Sequence, residues 1–228
     1  MYSHKDKFIY VHIPKCGGTF IKHFLLSNID DRYKDNQDFS LFQNDYDLYS
    51  EAPLNVVCKK IPNWKDYYIF SIVRNPFDRV TSMFSFLGGW KYEDIKKRRV
   101  NIENLPLFEK FNKFYKDKDF DGFVEFCFLT DELKKFHGGY FDSYVDRLTP
   151  PNGNHNYVNV FKLENIEKLI HALCDKYKFD SKIFTDWRKN SSKDYYLYND
   201  YKSYYTDKSY NLVKEHFNLD LEVYNYEF

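Results

Sequence analysis

Lys7-Phe8-Ile9-Tyr10-Val11-His12-Ile13-Pro14-Lys15-Cys16-Gly17-Gly18-Thr19-Phe20-Ile21-Lys22-His23-Phe24-Leu25-Leu26 is the stretch that decides the fold. Its first half is apolar and rich in β-formers, Pro14 and a glycine pair end it, and Thr19 to Leu26 takes up a helical pattern. It reads as strand, loop, helix. The residue types of the loop suit an anion: glycines let the backbone curl around it, and a helix N-terminus aims free N–H groups and a positive dipole end at it. Lys15 adds a full charge and Thr19 a hydroxyl donor. The order differs from the nucleoside-triphosphate loop G-x-x-x-x-G-K-[ST], because Lys15 precedes both glycines.

The same unit recurs further along. Tyr67 to Val73 (YYIFSIV) is a near-continuous apolar run of the kind that suits a strand buried on both faces of a parallel sheet, and Leu54 to Lys59 (LNVVCK) reads as another. The first of these leads through Arg74-Asn75-Pro76 into a helix expected from about Phe77 to Leu87. Ser82 would then lie about two turns below Arg74, where its hydroxyl can help a guanidinium to hold a second phosphate. Asp78 and Arg79 read as a surface pair, or as a first-turn carboxylate with its neighbour. Tyr157 to Leu163 is a further strand running into a helix over Asn165 to Tyr177, and helices are expected over Phe120 to Phe136 and Tyr201 to Phe217. Asp30 to Pro53 reads as an irregular excursion, and Gly88 to Lys118 as a surface excursion or short helices. Alternating strands and helices indicate an α/β, P-loop-like three-layer fold with a central, mostly parallel sheet flanked by helices. A chain of 228 residues suits one domain, 1–228.

Composition narrows the function classes. Apolar residues make up 43% of the chain and aromatics 21%, with 22 Tyr and 23 Phe, so the core is built largely from rings. The 34 basic and 34 acidic residues cancel, which removes the broad positive field that nucleic-acid or anionic-membrane binding would need. Any anion site must be local. Cys16, Cys58, Cys127 and Cys174 are isolated, with neither a C-x-x-C pair nor His at metal-ligand spacing. No stretch reaches the roughly 20 apolar residues of a membrane span. The expectation is a soluble protein of a reducing compartment, the cytoplasm.

The loop around Lys15, followed 59 residues later by a strand and then R-N-P-F-D-R-x-x-S, resembles the sulfotransferases that use 3′-phosphoadenosine 5′-phosphosulfate (PAPS). It is similar in particular to the carbohydrate sulfotransferase-like branch, family 2, whose loop usually reads close to H-I-P-K-x-x-G-T. The similarity continues in Phe161-Lys162-Leu163-Glu164-Asn165, in Asn190-Ser191-Ser192-Lys193, and from Tyr204-Tyr205-Thr206 to Tyr226. The resemblance implies that Lys15 meets the phosphosulfate and the charge appearing on the departing phosphate. It implies that the N–H groups of Cys16, Gly17, Gly18, Thr19 and Phe20, with the Thr19 hydroxyl, hold the 5′-phosphate. Arg74 and Ser82 would hold the 3′-phosphate, with Lys193 as a further basic residue. PAPS would be the donor, adenosine 3′,5′-bisphosphate (PAP) the product, no metal would be needed, and the acceptor would be a hydroxyl, by family likeness on a carbohydrate. Transfer would be a direct in-line displacement, with no nucleophilic role for Cys16.

The general base is less plainly written. Many sulfotransferases place a His at the end of the strand before the second motif, and here Val57-Cys58-Lys59-Lys60-Ile61-Pro62 contains none. His137, in a polar segment followed by two glycines, is the expected base, since an imidazole needs little tuning to accept a proton near neutral pH. Glu51 and Lys60 are the alternatives. A P-loop kinase or NTPase, or a non-catalytic nucleotide- or glycan-binding relative, are the competing functions, and the sequence leaves the oligomeric state open.

Overall fold

The computed structural model describes residues 1–31, 51–89, 105–135, 139–183, 197 and 199–228. In chain order its strands are β1 (Tyr2–Ser3), β2 (Phe8–Val11), β3 (Tyr68–Val73) and β4 (Val158–Lys162). Its α-helices are α1 (Gly18–Ile29), α2 (Leu54–Lys60), α3 (Pro76–Gly88), α4 (Leu105–Lys116), α5 (Phe120–Leu129), α6 (Tyr144–Leu148), α7 (Ile166–Tyr177), α8 (Asp207–His216) and α9 (Asn218–Val223). The architecture is α/β with a mostly parallel sheet, as the alternating pattern predicts. The chain forms two compact units, Met1–Arg74 with Gly138–Ser191, and Asn75–His137 with Ser192–Phe228.

The first unit holds the sheet. Its strand order is β1-β2-β3-β4, with β1 antiparallel to β2 and the other pairs parallel. Every residue of Phe8–Val11 is buried, which is why the run is continuously apolar rather than alternating. In the β2/β3 register Phe8 faces Tyr68 and Tyr10 faces Phe70. Their rings form one layer, with Tyr10 stacked on Phe70 at 5.3 Å and Phe8 meeting Tyr177 of α7 edge-on at 6.0 Å. Ser71, buried on β3, donates its hydroxyl to the Val11 carbonyl at 2.7 Å.

Leu54–Lys59, expected as a strand, is the helix α2. Its buried residues are Leu54, Val57 and Cys58, spaced as one helical face, while Asn55, Val56, Lys59 and Lys60 are exposed. A run this short carries too few residues to separate the two periods. The helix expected to Phe136 stops at Leu129, where Thr130 turns to extended backbone and Asp131–Lys135 forms a 3-10 turn. The helix expected over Tyr201–Phe217 is likewise split: a 3-10 turn covers Tyr201–Tyr204, and Thr206 then caps α8 in a box with Ser209.

The second unit is helical and packed with rings. Phe84 is fully buried against Tyr115, Phe120, Phe123 and Tyr204, with centroids 5.2 to 6.0 Å away. Phe77 stacks on Tyr210 at 5.3 Å. Arg79, expected at the surface, is wholly buried, with its guanidinium carbon 5.7 Å from the Phe217 ring. Its aliphatic stem and planar head suit an aromatic interior, which a sequence pair Asp78-Arg79 does not announce. Among the described residues no helix is long and apolar enough to cross a membrane.

Phe84→Ala should lower the unfolding free energy by about 3–5 kcal/mol, the usual cost of emptying a buried ring site. Urea denaturation followed by fluorescence measures it, and a loss under about 1 kcal/mol would mean that the ring cluster is not a packed core.

Candidate active site

The loop between β2 and α1 departs from ordinary backbone at two points. Lys15 has φ 66° and Gly17 φ 81°, both left-handed. For Gly17 the conformation is free of side-chain conflict, whereas an L-residue such as Lys15 gives up roughly 1–2 kcal/mol to hold it. The Cys16 N–H donates to the Ile13 carbonyl at 3.3 Å, closing the turn, and Cys16 itself is buried. Gly17 is the N-cap of α1, no side chain caps that end, and its first turn carries no acidic residue. The helix therefore opens on backbone N–H groups and an uncompensated positive dipole end. Gly18 must be glycine because a Cβ would lie 1.9 Å from Nε2 of His12. Thr19 is exposed at the first turn and Lys15 is half-buried.

Arg74 follows directly on β3, the neighbour of β2. Its Nη1 donates to the Lys15 carbonyl at 3.2 Å, and its own carbonyl accepts from the Tyr144 hydroxyl of α6 at 2.7 Å. The Lys15 loop and Arg74, the first residue of the second motif, thus meet within the first unit. Ser82 is buried on α3, in the second unit. The start of α3 is already satisfied: the Asn75 side chain accepts from the Phe77 N–H at 3.0 Å, Pro76 occupies the first turn, and Asp78 supplies an acid.

A charged group lies behind the loop. His12 continues β2 on the face of Tyr10, and its Nδ1 is 3.6 Å from Oε1 of Glu51. Their side chains are 11% and 28% exposed. Burial first, then the cations Lys22, the chain N-terminus, Arg147 and Lys15, hold His12 well below the usual imidazole range. His12 is neutral near pH 7, so this contact is polar rather than an ion pair. Burial pushes the Glu51 carboxyl up, while Lys22 and Arg147 pull it back. Lys22 is buried on α1. Arg147, on α6, is pinned by Asp142 through Nη1 at 2.9 Å, and its Nη2 donates to the carbonyls of Glu51 and, at 3.4 Å, of His12. The Tyr10 hydroxyl and His12 Nδ1 are buried without a hydrogen-bond partner among the described residues.

The structure therefore brings Lys15, Gly17, Gly18, Arg74 and Glu51 into one unit. His137 and Lys193 lie outside the described residues. Lys60 is exposed on α2, and His155 is exposed with Nε2 3.1 Å from the Thr149 hydroxyl. Sequence reasoning missed Lys22 and Arg147. Lys22 was discoverable, since its spacing from Gly18, Leu25 and Leu26 puts it on the buried face of α1. Arg147 sits in a five-residue helix with no motif around it.

A mostly parallel sheet whose strand-to-helix loop is glycine-rich and uncapped places the chain in the P-loop-like α/β class. The sulfotransferase family model, family 2, matches residues 1–227, and the chain belongs to that family. It is accordingly an enzyme of sulfuryl transfer. No curated protein and no solved structure matches it significantly.

Gly18→Ala would drive a methyl group into the His12 ring and displace the start of α1. Titration calorimetry with PAP should show affinity reduced at least about tenfold, or about 1.4 kcal/mol, and binding within about twofold of the wild type would separate the loop from the nucleotide.

Proposed function

We propose that the chain is a single sulfotransferase domain that moves a sulfuryl group from PAPS to a hydroxyl acceptor, with carbohydrate as the acceptor class. The observation that carries this reading is the uncapped N-terminus of α1 behind the left-handed Lys15 and Gly17, tied to Arg74 at the end of the adjacent parallel strand. Such a terminus favours a phosphate, and the family match supplies the reaction. The carbohydrate acceptor rests on the resemblance of the loop to the carbohydrate branch. A screen of glycans with radiolabelled donor tests it.

In this reading the N–H groups of Cys16 to Phe20 and the Thr19 hydroxyl hold the 5′-phosphate, and Arg74 and Ser82 the 3′-phosphate, with Lys193 as an added cation. The acceptor oxygen attacks sulfur in line, the bond from sulfur to the bridging phosphate oxygen breaks, and PAP leaves. Lys15 meets the negative charge that grows on that oxygen, so it acts mainly in the transition state. The acceptor proton goes to a general base. Of the sequence candidates, Glu51 has support from the described residues: it is partly exposed, it lies beside the strand that leads into the loop, and burial raises its pKa toward the operating pH. We assign the base to Glu51, with His137 as the rival that the test below can restore.

Lys15→Ala should cut turnover far more than donor affinity. Unchanged turnover at saturating PAPS with weaker binding would instead mean uniform ground-state binding. Glu51→Gln should lower turnover by roughly a hundredfold and remove the acid limb of the pH–rate profile, which rises as the carboxyl loses its proton. Wild-type turnover in Glu51→Gln with collapse in His137→Ala would move the role to His137.

Ser82→Ala should weaken PAPS by about 1.5–3 kcal/mol and leave adenosine 5′-phosphosulfate almost untouched. Arg74→Ala should weaken both donors, because Arg74 also holds the Lys15 carbonyl. Selective loss of PAPS in both variants would limit Arg74 to the 3′-phosphate.

A further inference from the structure

We propose that Arg147 is a positioning residue for sulfuryl transfer: its guanidinium joins the backbone of Glu51 to the strand end that carries the Lys15 loop, and so fixes the base against the donor. The inference rests on the assignment of the base to Glu51.

The geometry is specific. Nη2 donates to two carbonyls from distant parts of the chain, Glu51 and His12. Nη1 is held by Asp142 at 2.9 Å, so the planar head is anchored on one edge and bridges with the other. The side chain is only 3% exposed, whereas Asp142 is 54% exposed. A buried guanidinium is costly unless its donors are used, and three are accounted for by these contacts on two nitrogens. Gly139, at φ 63°, makes room for it, since a Cβ there would lie 1.5 Å from Nη1. One turn earlier on α6, Tyr144 donates to the Arg74 carbonyl. The short helix α6 therefore braces the ends of both β2 and β3, and Arg147 is the part of the brace that reaches Glu51.

Arg147 also acts on Glu51 through its charge. The groups facing the Glu51 carboxyl are Tyr10 from β2, His12 just after it, Lys22 from α1 and Arg147 from α6. His12 and Tyr10 are neutral near pH 7, and the two cations favour the carboxylate. Losing one cation makes the base harder to deprotonate, so the acid limb of the rate profile moves to higher pH. A lysine keeps the charge but cannot bridge two carbonyls and a carboxylate in one plane.

The test measures sulfate released to water from radiolabelled PAPS, which needs no acceptor, alongside PAP affinity by calorimetry. Arg147→Gln should slow release by roughly tenfold to a hundredfold, the scale of a misplaced reacting group, while PAP affinity stays within about threefold. Its acid limb should move up in pH. Arg147→Lys should be slow as well, with the limb in place. Should Arg147→Gln fail to fold, Asp142→Asn, at an exposed carboxyl, should show the same slowing at smaller size. In a Glu51→Gln background Arg147→Gln should add no further loss. Collapse in Glu51→Gln, with wild-type release and an unmoved limb in the Arg147 and Asp142 variants, would overturn this inference and leave the base assignment standing. An undiminished effect of Arg147→Gln in the Glu51→Gln background would also overturn it. Wild-type release by Glu51→Gln alone would overturn the base assignment, and this inference with it.

Discussion

Parallel pairing of β2 with β3 brings His12 and Arg74 out at the same edge of the sheet, and the contact of Arg74 with the Lys15 loop depends on that pairing. Two parallel strands deliver their following loops to one end, whereas an antiparallel pair would send Lys15 and Arg74 to opposite ends. Ser71 reinforces the register from the side by donating to the Val11 carbonyl. Because both faces of β2 are covered, the strand cannot slip by one residue without exchanging Tyr10 and His12 for Ile9 and Val11. That exchange would remove the imidazole from beneath Gly18. The register thus sets the shape of the loop as well as the packing of the sheet.

Charge behind the loop is the second constraint. A loop proposed to receive a phosphosulfate needs positive potential, and the Glu51 carboxyl lies beside His12, the residue that leads into it. Lys22 and Arg147 offset that charge from inside, where solvent does not screen it. Burial first, and then these two cations with the chain N-terminus and Lys15, keep His12 neutral, so the imidazole lies under Gly18 as a flat, uncharged support. A positively charged His12 would add field at the loop but would have to be desolvated among other cations.

How much of this is legible in sequence depends on whether a residue's role is local. The β2-loop-α1 and β3-α3 units were read correctly because strand, turn and helix signals follow one another within about 20 residues. The helix α2 was misread, since Leu54, Val57 and Cys58 form a helical face too short to outweigh a β-rich composition. Arg79 was misplaced for a different reason: the ring cluster that shelters it is assembled from residues more than a hundred positions away, such as Phe217. The surroundings of Glu51, an alternative base in the sequence reading, and of Arg147 were not legible at all. Their partners come from β2, α1 and α6, and no spacing rule joins them.

The two strand-loop-helix units share a topology but solve opposite capping problems, and this accounts for their different sequences. The helix α1 leaves its terminal N–H groups uncapped, which needs a glycine at the left-handed N-cap and no acid in the first turn. Its motif is accordingly Lys-Cys-Gly-Gly-Thr, with the backbone itself available to an anion. The helix α3 uses the Asn75 side chain to satisfy Phe77, removes one donor with Pro76 and neutralises its dipole with Asp78. Little backbone is left there for an anion, so any phosphate met by the second motif must be met by side chains. Arg-Asn-Pro-Phe-Asp is the sequence of a closed helix start preceded by a strong cation. In the proposed reading the α1 terminus would meet one phosphate with backbone and Arg74 another with its guanidinium, which suits a ligand that carries two distinct phosphate groups.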